Sequence, residues 1–309
     1  MTLDRDYFEY PHRSYGMDHD RYPWEMLQDR APVTWPEGAT LAVWINVGLP
    51  YYPLDQSNDP FPPPHGMKTV YPDLRHYSLR EYGHRVGVYR FFDALDASGL
   101  PVTFAVSARL AQRYPYLAER LAARPDEIAC NGWSMNHPHH GDLDPSVEAD
   151  LVERSLATLG EAVDRDIVGW LSPGKSQSGR TPDLLAARGV RYMADWVNDE
   201  LPYSFATDHG SIVSMPLSSE LADTTILVDS LHAVSEYVDQ VTDAFDLLLA
   251  ESAREGGRML ALSVHPWLLG QPHRIAAFEA ILDLVGGRDD VWVATASDIV
   301  EAWEDQQPG

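Results

Sequence analysis

One rhythm constrains the fold of this chain more than any other feature. Short, nearly uninterrupted apolar runs alternate with helix-patterned stretches from residue 38 to about residue 303. The first run, Thr40–Val47 (TLAVWINV), reads as a strand covered on both faces, since a half-exposed strand would alternate apolar with polar residues. Further strand-like runs lie at Val102–Val106, Glu127–Cys130, Ile167–Leu171, Tyr192–Ala194, Thr225–Val228, Met259–Val264 and Val291–Ala294. Helical patterns fall between them, near 78–98, 108–123, 147–163, 234–254 and 274–285, with another helix starting near Thr181-Pro182. A hairpin pattern covers Thr207–Leu217, with Asp208-His209-Gly210 as its turn. About seven or eight such units without a break in composition predict one mainly parallel α/β barrel rather than two domains.

Residues 1–37 show no period and carry Tyr7, Phe8, Tyr10, Tyr15 and Tyr22, which predicts an ordered N-terminal arm. Residues 304–309 read as a short tail. The long segment 48–77 follows the end of the first strand, where α/β barrels keep their sites, and is expected to line or cover a pocket. Ser78-Leu79-Arg80-Glu81 reads as a capping box opening a helix that Gly99 stops. Gly83 and Gly87 share one face of that helix and predict a close packing contact. The single cysteine, Cys130, sits in an apolar run and reads as a buried, inert thiol.

Charge narrows the partners. With 47 acidic and 23 basic residues the formal net charge is −24, a field that repels phosphate backbones and argues against nucleic acid. No run of about 18 apolar residues is present to span a membrane. The polar, acidic first residues lack the apolar core of a signal peptide, so a cytoplasmic protein is expected. Neither a GxGxxG after the first strand nor a GxxxxGK[ST] occurs. The expected partner is a small-molecule substrate.

Four segments carry a resemblance: YGHRVGVYR (Tyr82–Arg90), EIACNGWS (Glu127–Ser134), the long stretch Gly169–Tyr203, and ALSVHPWLLGQPHR (Ala261–Arg274). In this order the chain resembles the polysaccharide-deacetylase (NodB-homology) superfamily, and within it the branch of allantoinases and cyclic-imide hydrolases. The resemblance covers roughly residues 38–303. It implies a single distorted (β/α)7 barrel of the polysaccharide-deacetylase type with its site at the strand C-termini, preceded by the N-terminal arm. It also implies a homo-oligomer. Metal-dependent members carry an Asp pair after the first strand and two His four residues apart after the third. The matching positions here are Asn46, Gly48, Asn131 and Met135, and an arginine that orients the base is matched by Leu171 or a neighbour. Asn and Met are poor ligands for zinc, so the family's metal site is not expected to form. No cofactor is expected, with zinc conceivable only at a site foreign to the family.

Candidate residues follow from chemistry at strand ends. His265 closes an apolar strand, and its titration range suits acid–base work. The base is sought among Glu220, Asp199 and Glu200, in that order, since crowding and burial can raise a carboxyl pKa toward that duty. Asn46 and Asn131 could hydrogen-bond a planar amide or imide, and Trp133 could stack on it or simply fill the core. Ser172, Lys175, Asp195, Trp196 and His137 complete the predicted substrate pocket, with Lys175 and Arg180 able to hold a carboxylate or oxyanion. The tract His137-Pro138-His139-His140 offers a relocated metal site as the rival reading. The expectation is hydrolytic opening of a small cyclic amide, imide or ureide. N-deacetylation or deformylation of an open-chain amide through a relocated metal, or a barrel that only binds a ligand, are the alternatives.

Overall fold

The structure, a computed structural model, describes residues 19–55 and 72–307. Its strands are β1 Leu41–Leu49, β2 Thr103–Val106, β3 Glu127–Cys130, β4 Gly169–Trp170, β5 Tyr192–Met193, β6 Tyr203–Thr207, β7 Gly210–Ser214, β8 Arg258–Val264 and β9 Val291–Val293. They form one sheet in the order β6-β7-β5-β4-β3-β2-β1-β8, and β9 pairs the beginning of β1. All neighbours run parallel except the β6–β7 hairpin. The sheet curls into a barrel left unsewn between its two edge strands, β6 and β8, which are not paired with one another. The predicted architecture is therefore present, as a curled half-barrel.

The helices are α1 Leu74–Tyr82, α2 Val88–Ser98, α3 Ala108–Arg113, α4 Pro115–Ala122, α5 Pro145–Val163, α6 Thr181–Ala186, α7 Val234–Glu255, α8 Ile275–Val285 and α9 Ala296–Glu304. Residue alternation along β1 sorts two cores. Leu41, Val43, Ile45, Val47 and Leu49 pack outward against helices, while Ala42 and Trp44 pack inward. Asn46 and Gly48 share the inward parity and face the barrel interior near its C-terminal mouth. Polar contacts link the strands inside the barrel. The Glu127 carboxylate accepts from Thr103 (2.8 Å), Tyr192 (2.9 Å) and Ser297, and Thr103 accepts from the Trp44 indole at 3.0 Å.

Several local expectations change. Asp73 caps α1 by accepting from the backbone N–H of His76 at 3.1 Å, so the helix opens before Ser78, whose hydroxyl instead donates to Arg75 O. The run Thr225–Asp229, expected as a strand, is a wide π-helical turn. Its Ile226 N–H donates to Ala222 O, so helical closure overrides the β-branched pattern. The predicted helix over 108–123 breaks at Tyr114, because Pro115 restricts the residue before it and starts a new first turn. Of the aromatic arm, Tyr7, Phe8, Tyr10 and Tyr15 lie outside the described residues. Tyr22 packs edge-on against Trp196 and Tyr203. The part of the long loop at 56–71 also lies outside them. Among the described residues no helix is long and apolar enough to cross a membrane.

One packing contact fixes the mouth. Between α1 and α2 the chain makes a π-helical turn, Gly83–Gly87, pressed on the segment after β8. A methyl group at Gly87 would lie 2.1 Å from Pro266 O, and one at Gly83 would lie 2.7 Å from Trp267 Cβ. Gly270 answers from the other side, where a methyl would lie 2.5 Å from Gly87 Cα. Backbone thus meets backbone, and Arg90 adds a 2.6 Å bond to Gly270 O. Gly87→Ala should force these segments apart and cost about 1–3 kcal/mol, as overpacking of a tight core does. Urea unfolding of the purified variant measures it, and stability equal to wild type would show that the contact gives way freely.

Candidate active site

His265 follows the last residue of β8. Its backbone N–H donates to Asp223 Oδ2 at 2.6 Å, and its Nδ1 lies 2.7 Å from Asp223 Oδ1. One carboxylate thus grips one residue twice, and Asp223 is wholly buried while it does so. With Nδ1–H donated to the carboxylate, the lone pair of neutral imidazole is at Nε2. That nitrogen lies over β1, where a methyl group built on Gly48 would fall 2.5 Å away. The imidazole therefore fills space that any larger residue at 48 would need.

Around this group the mouth is neutral. Asn46 is flanked in the sheet by Thr103 on β2 and Ser263 on β8. Asn131, just past β3, is tied by its backbone N–H to Val106 O at 2.9 Å. Both side chains are buried, and each has a buried polar atom without a protein partner, Asn46 Nδ2 and Asn131 Oδ1. A buried unpaired group costs roughly 1–3 kcal/mol, a cost that a bound ligand can offset. Asn46, Gly48, Asn131 and Met135 are the positions where the resemblance places metal ligands. Two amides, a hydrogen and a thioether do not make a zinc site, so the family's metal does not fit here.

The predicted carboxylates stand elsewhere. Asp199 pairs with Arg30 at 2.5 Å and accepts from the backbone N–H groups of Glu200 and Leu201. Glu220 is exposed. Together with Asp199 and Glu200 it lines a cavity of about 340 Å³ in the unsewn wall beside Met259 and Ala261. Burial raises the pKa of Glu200, with Glu251 adding to it. A larger cleft of about 700 Å³ lies between the arm and the end of α9. Neither cavity is lined by His265. Sequence spacing singled out Glu220, whereas Asp223, three residues later, is the acid joined to His265. The signal available was an acidic residue directly after an alanine in a run that turns apolar.

The remaining candidates build the walls. Asp195 accepts from Ser172 N (2.6 Å), Ser172 Oγ (2.7 Å) and Gln177 Nε2 (3.0 Å). Burial raises its pKa against those bonds and the charges of His139 and Lys175. Trp196 bonds Gln177 Oε1 at 3.2 Å and packs on the arm. Trp133 lies in the outer core, between the guanidinium groups of Arg109 and Arg154. Its core-filling alternative is the one realised, because its backbone is pinned to the start of α3 by the Arg109 N–H. Cys130 is buried with its pKa pushed up by desolvation, as an inert thiol should be.

The histidine tract does not converge. His137 Nδ1 lies 2.7 Å from Ser134 Oγ, and its pKa is lowered by burial and by Arg154 and Arg109. His139 turns to Glu148 at 3.3 Å. Among the described residues no three His, Cys, Asp or Glu side chains come together to hold a metal. Glu148 is instead the anchor of the following loop, accepting from Ser178 (2.8 Å), Thr181 (2.7 Å) and Arg180. Burial alone would raise its pKa, but bonds from His139, Thr181 and Ser178 prevail and hold it at about 2.

Two outcomes follow from this geometry. Glu148→Gln should destabilise the fold by about 3 kcal/mol near neutrality, as breaking a buried charged network does. Because the native carboxyl has the depressed pKa, the wild-type advantage should shrink as pH falls toward 2, and unfolding titrations across acid pH test both statements. Gly48→Ala should displace the His265 ring and lower turnover about 10-fold or more, since small misplacements of a reacting group are costly. Unchanged kcat in that variant would show that the imidazole position is not required.

Comparison with known proteins agrees with this architecture. Residues 81–193 match the polysaccharide deacetylase family. A Schizosaccharomyces pombe protein named "Putative polysaccharide deacetylase" is 22% identical over 75% of this chain and 77% of its own length. A Mycobacterium smegmatis crystal structure of the same name is 28% identical, with a TM-score of 0.74, over 90% of this chain and 94% of that one. The crystal structure of Puue allantoinase shares the fold at a TM-score of 0.81, with 24% identity over 93% of this chain and 99% of that one. Residues 81–193 thus match a polysaccharide deacetylase domain, and the chain shares the fold of these solved structures.

Proposed function

We propose that this deacetylase-like chain is a hydrolase that opens a small cyclic amide, imide or ureide at a C–N bond, without the metal usual in its family. The observation that carries the reading is the Asp223–His265 pair, with Nε2 over Gly48 and two buried amides where ligands would stand. One protein of the same fold is named an allantoinase, which puts ureides among the substrates to try.

In this mechanism His265 Nε2 takes a proton from water as the oxygen adds to the carbonyl carbon. Asp223 keeps the ring oriented and stabilises the imidazolium that forms. Developing charge on the carbonyl oxygen is met by amide donors, of which Asn46 Nδ2 is the unpaired one. The imidazolium then returns its proton to the departing nitrogen, and the ring opens with water added across the C–N bond. Glu220, Asp199 and Glu200 drop out as bases, because their contacts point to the arm and the barrel wall.

The test is turnover of hydantoins, cyclic imides, allantoin and small N-acyl amides by metal-analysed protein. His265→Asn and Asp223→Asn should each lower kcat about 10²–10⁴-fold, while Glu220→Gln stays near wild type. Near wild-type rates in both dyad variants would sink the mechanism. Turnover of open-chain amides alone, lost to chelator and restored by zinc, would favour the deacetylase reading.

A further inference from the structure

Lys175 is a charged residue that the proposed chemistry leaves unused. It sits in the loop after β4 with φ +55°, a left-handed conformation that ordinary side chains avoid and that follows Gly174 at φ +66°. Such a conformation costs about 1 kcal/mol in a residue other than glycine and persists where the surroundings hold it. What holds it is the ammonium. Nζ donates to the carbonyl oxygen of Leu217 and to Ser219 Oγ at 3.0 Å. These residues lie beyond the end of β7, two strands away in the sheet, so the side chain reaches across the end of β5. There the Asp195 carboxylate attracts it.

The segment Lys175 grips leads directly to the dyad. From Ser219 the chain closes a turn, Ala222 N–H to Ser219 O at 3.3 Å, and the next residue is Asp223. The registers of β7 with β5 and β6 end at Ser214, so no strand pairing includes residues 217–223 or fixes them relative to His265. The lysine ties this stretch to the loop after β4.

We propose that Lys175 is a positioning residue: its ammonium braces the 217–223 segment and so sets where Asp223 holds the His265 imidazole. The proposal rests on the dyad reading of the site. Its charge is finely poised, since burial lowers the Lys175 pKa to about 8 while Asp195 opposes the shift. The titratable groups facing it are few. Asp195 comes from the end of β5, with His139 and Glu148 behind it from the β3 loop and α5. From the β7 side Leu217 and Ser219 offer neutral oxygens, and Glu220 is exposed. Turnover should therefore fall as pH rises through about 8 and the brace loses its charge.

Steady-state kinetics of Lys175→Met across pH 6–10, on whichever cyclic amide the wild type opens, tests the inference. The expected result is kcat down about 10-fold or more, with KM within about threefold, an unchanged melting temperature and no remaining inflection near pH 8. Lys175→Arg, whose charge does not titrate in this range, should regain part of the rate and also lack the inflection. The inference is overturned if Lys175→Met keeps kcat within twofold, or if the inflection persists in either variant. These outcomes are separate from failure of the hydrolase reading, which the His265 and Asp223 variants report.

Discussion

The grip of Asp223 on His265 organises the mouth of this barrel. A carboxylate without solvent is costly unless its oxygens are satisfied. Here Oδ2 takes a backbone N–H and Oδ1 takes the ring nitrogen of the same residue. The two bonds fix both the turn after β8 and the direction of the imidazole. That turn is fixed a second time from outside, where Gly83, Gly87 and Gly270 let a helix lie on its backbone. Position and orientation thus have separate supports, and both act on a residue whose other nitrogen faces β1.

The space left at Gly48 and the nature of the neighbouring side chains are coupled. An aspartate at 48 would occupy the place that the His265 ring takes, so the imidazole position and a carboxylate there exclude one another. With glycine at 48, the neutral side chains of Asn46 and Asn131 stand buried beside the imidazole. Charge is kept in the walls instead. Asp195 and Glu148 are buried and Lys175 half-buried, all bonded to loops, where they hold the shape of the site rather than contribute to its surface.

Strands covered on both faces were legible because nothing polar interrupts them, and β1 and β8 fall almost where the apolar runs of the sequence lie. The hairpin of β6 and β7 was legible from its turn residues. The π-helical turn Thr225–Asp229 was not, since Thr, Ile and Val score as strand locally and only the bond back to Ala222 decides otherwise. Among the site residues, His265 was readable from its strand end. Asp223 was not, because its partner is 42 residues away and a sequence does not tell a buried acid from the exposed Glu220 three residues before it. Trp133 shows the reverse failure, an aromatic beside the site whose ring the α3–α5 contact draws into the outer core.

The unsewn seam ties these observations together. A closed barrel would pair its edge strands, here β6 and β8, and leave no slot between them. In this chain the seam is open, and Asp223, from the segment after β7, meets His265, at the end of the edge strand β8, within 2.7 Å. Side chains do the work that a ladder would do elsewhere. The dyad itself spans the seam at the mouth, and Lys175 ties one bank to the loop of β4. A contact that closes the fold is then also the contact that orients the imidazole, so changes that loosen the seam reach the chemistry without touching a substrate.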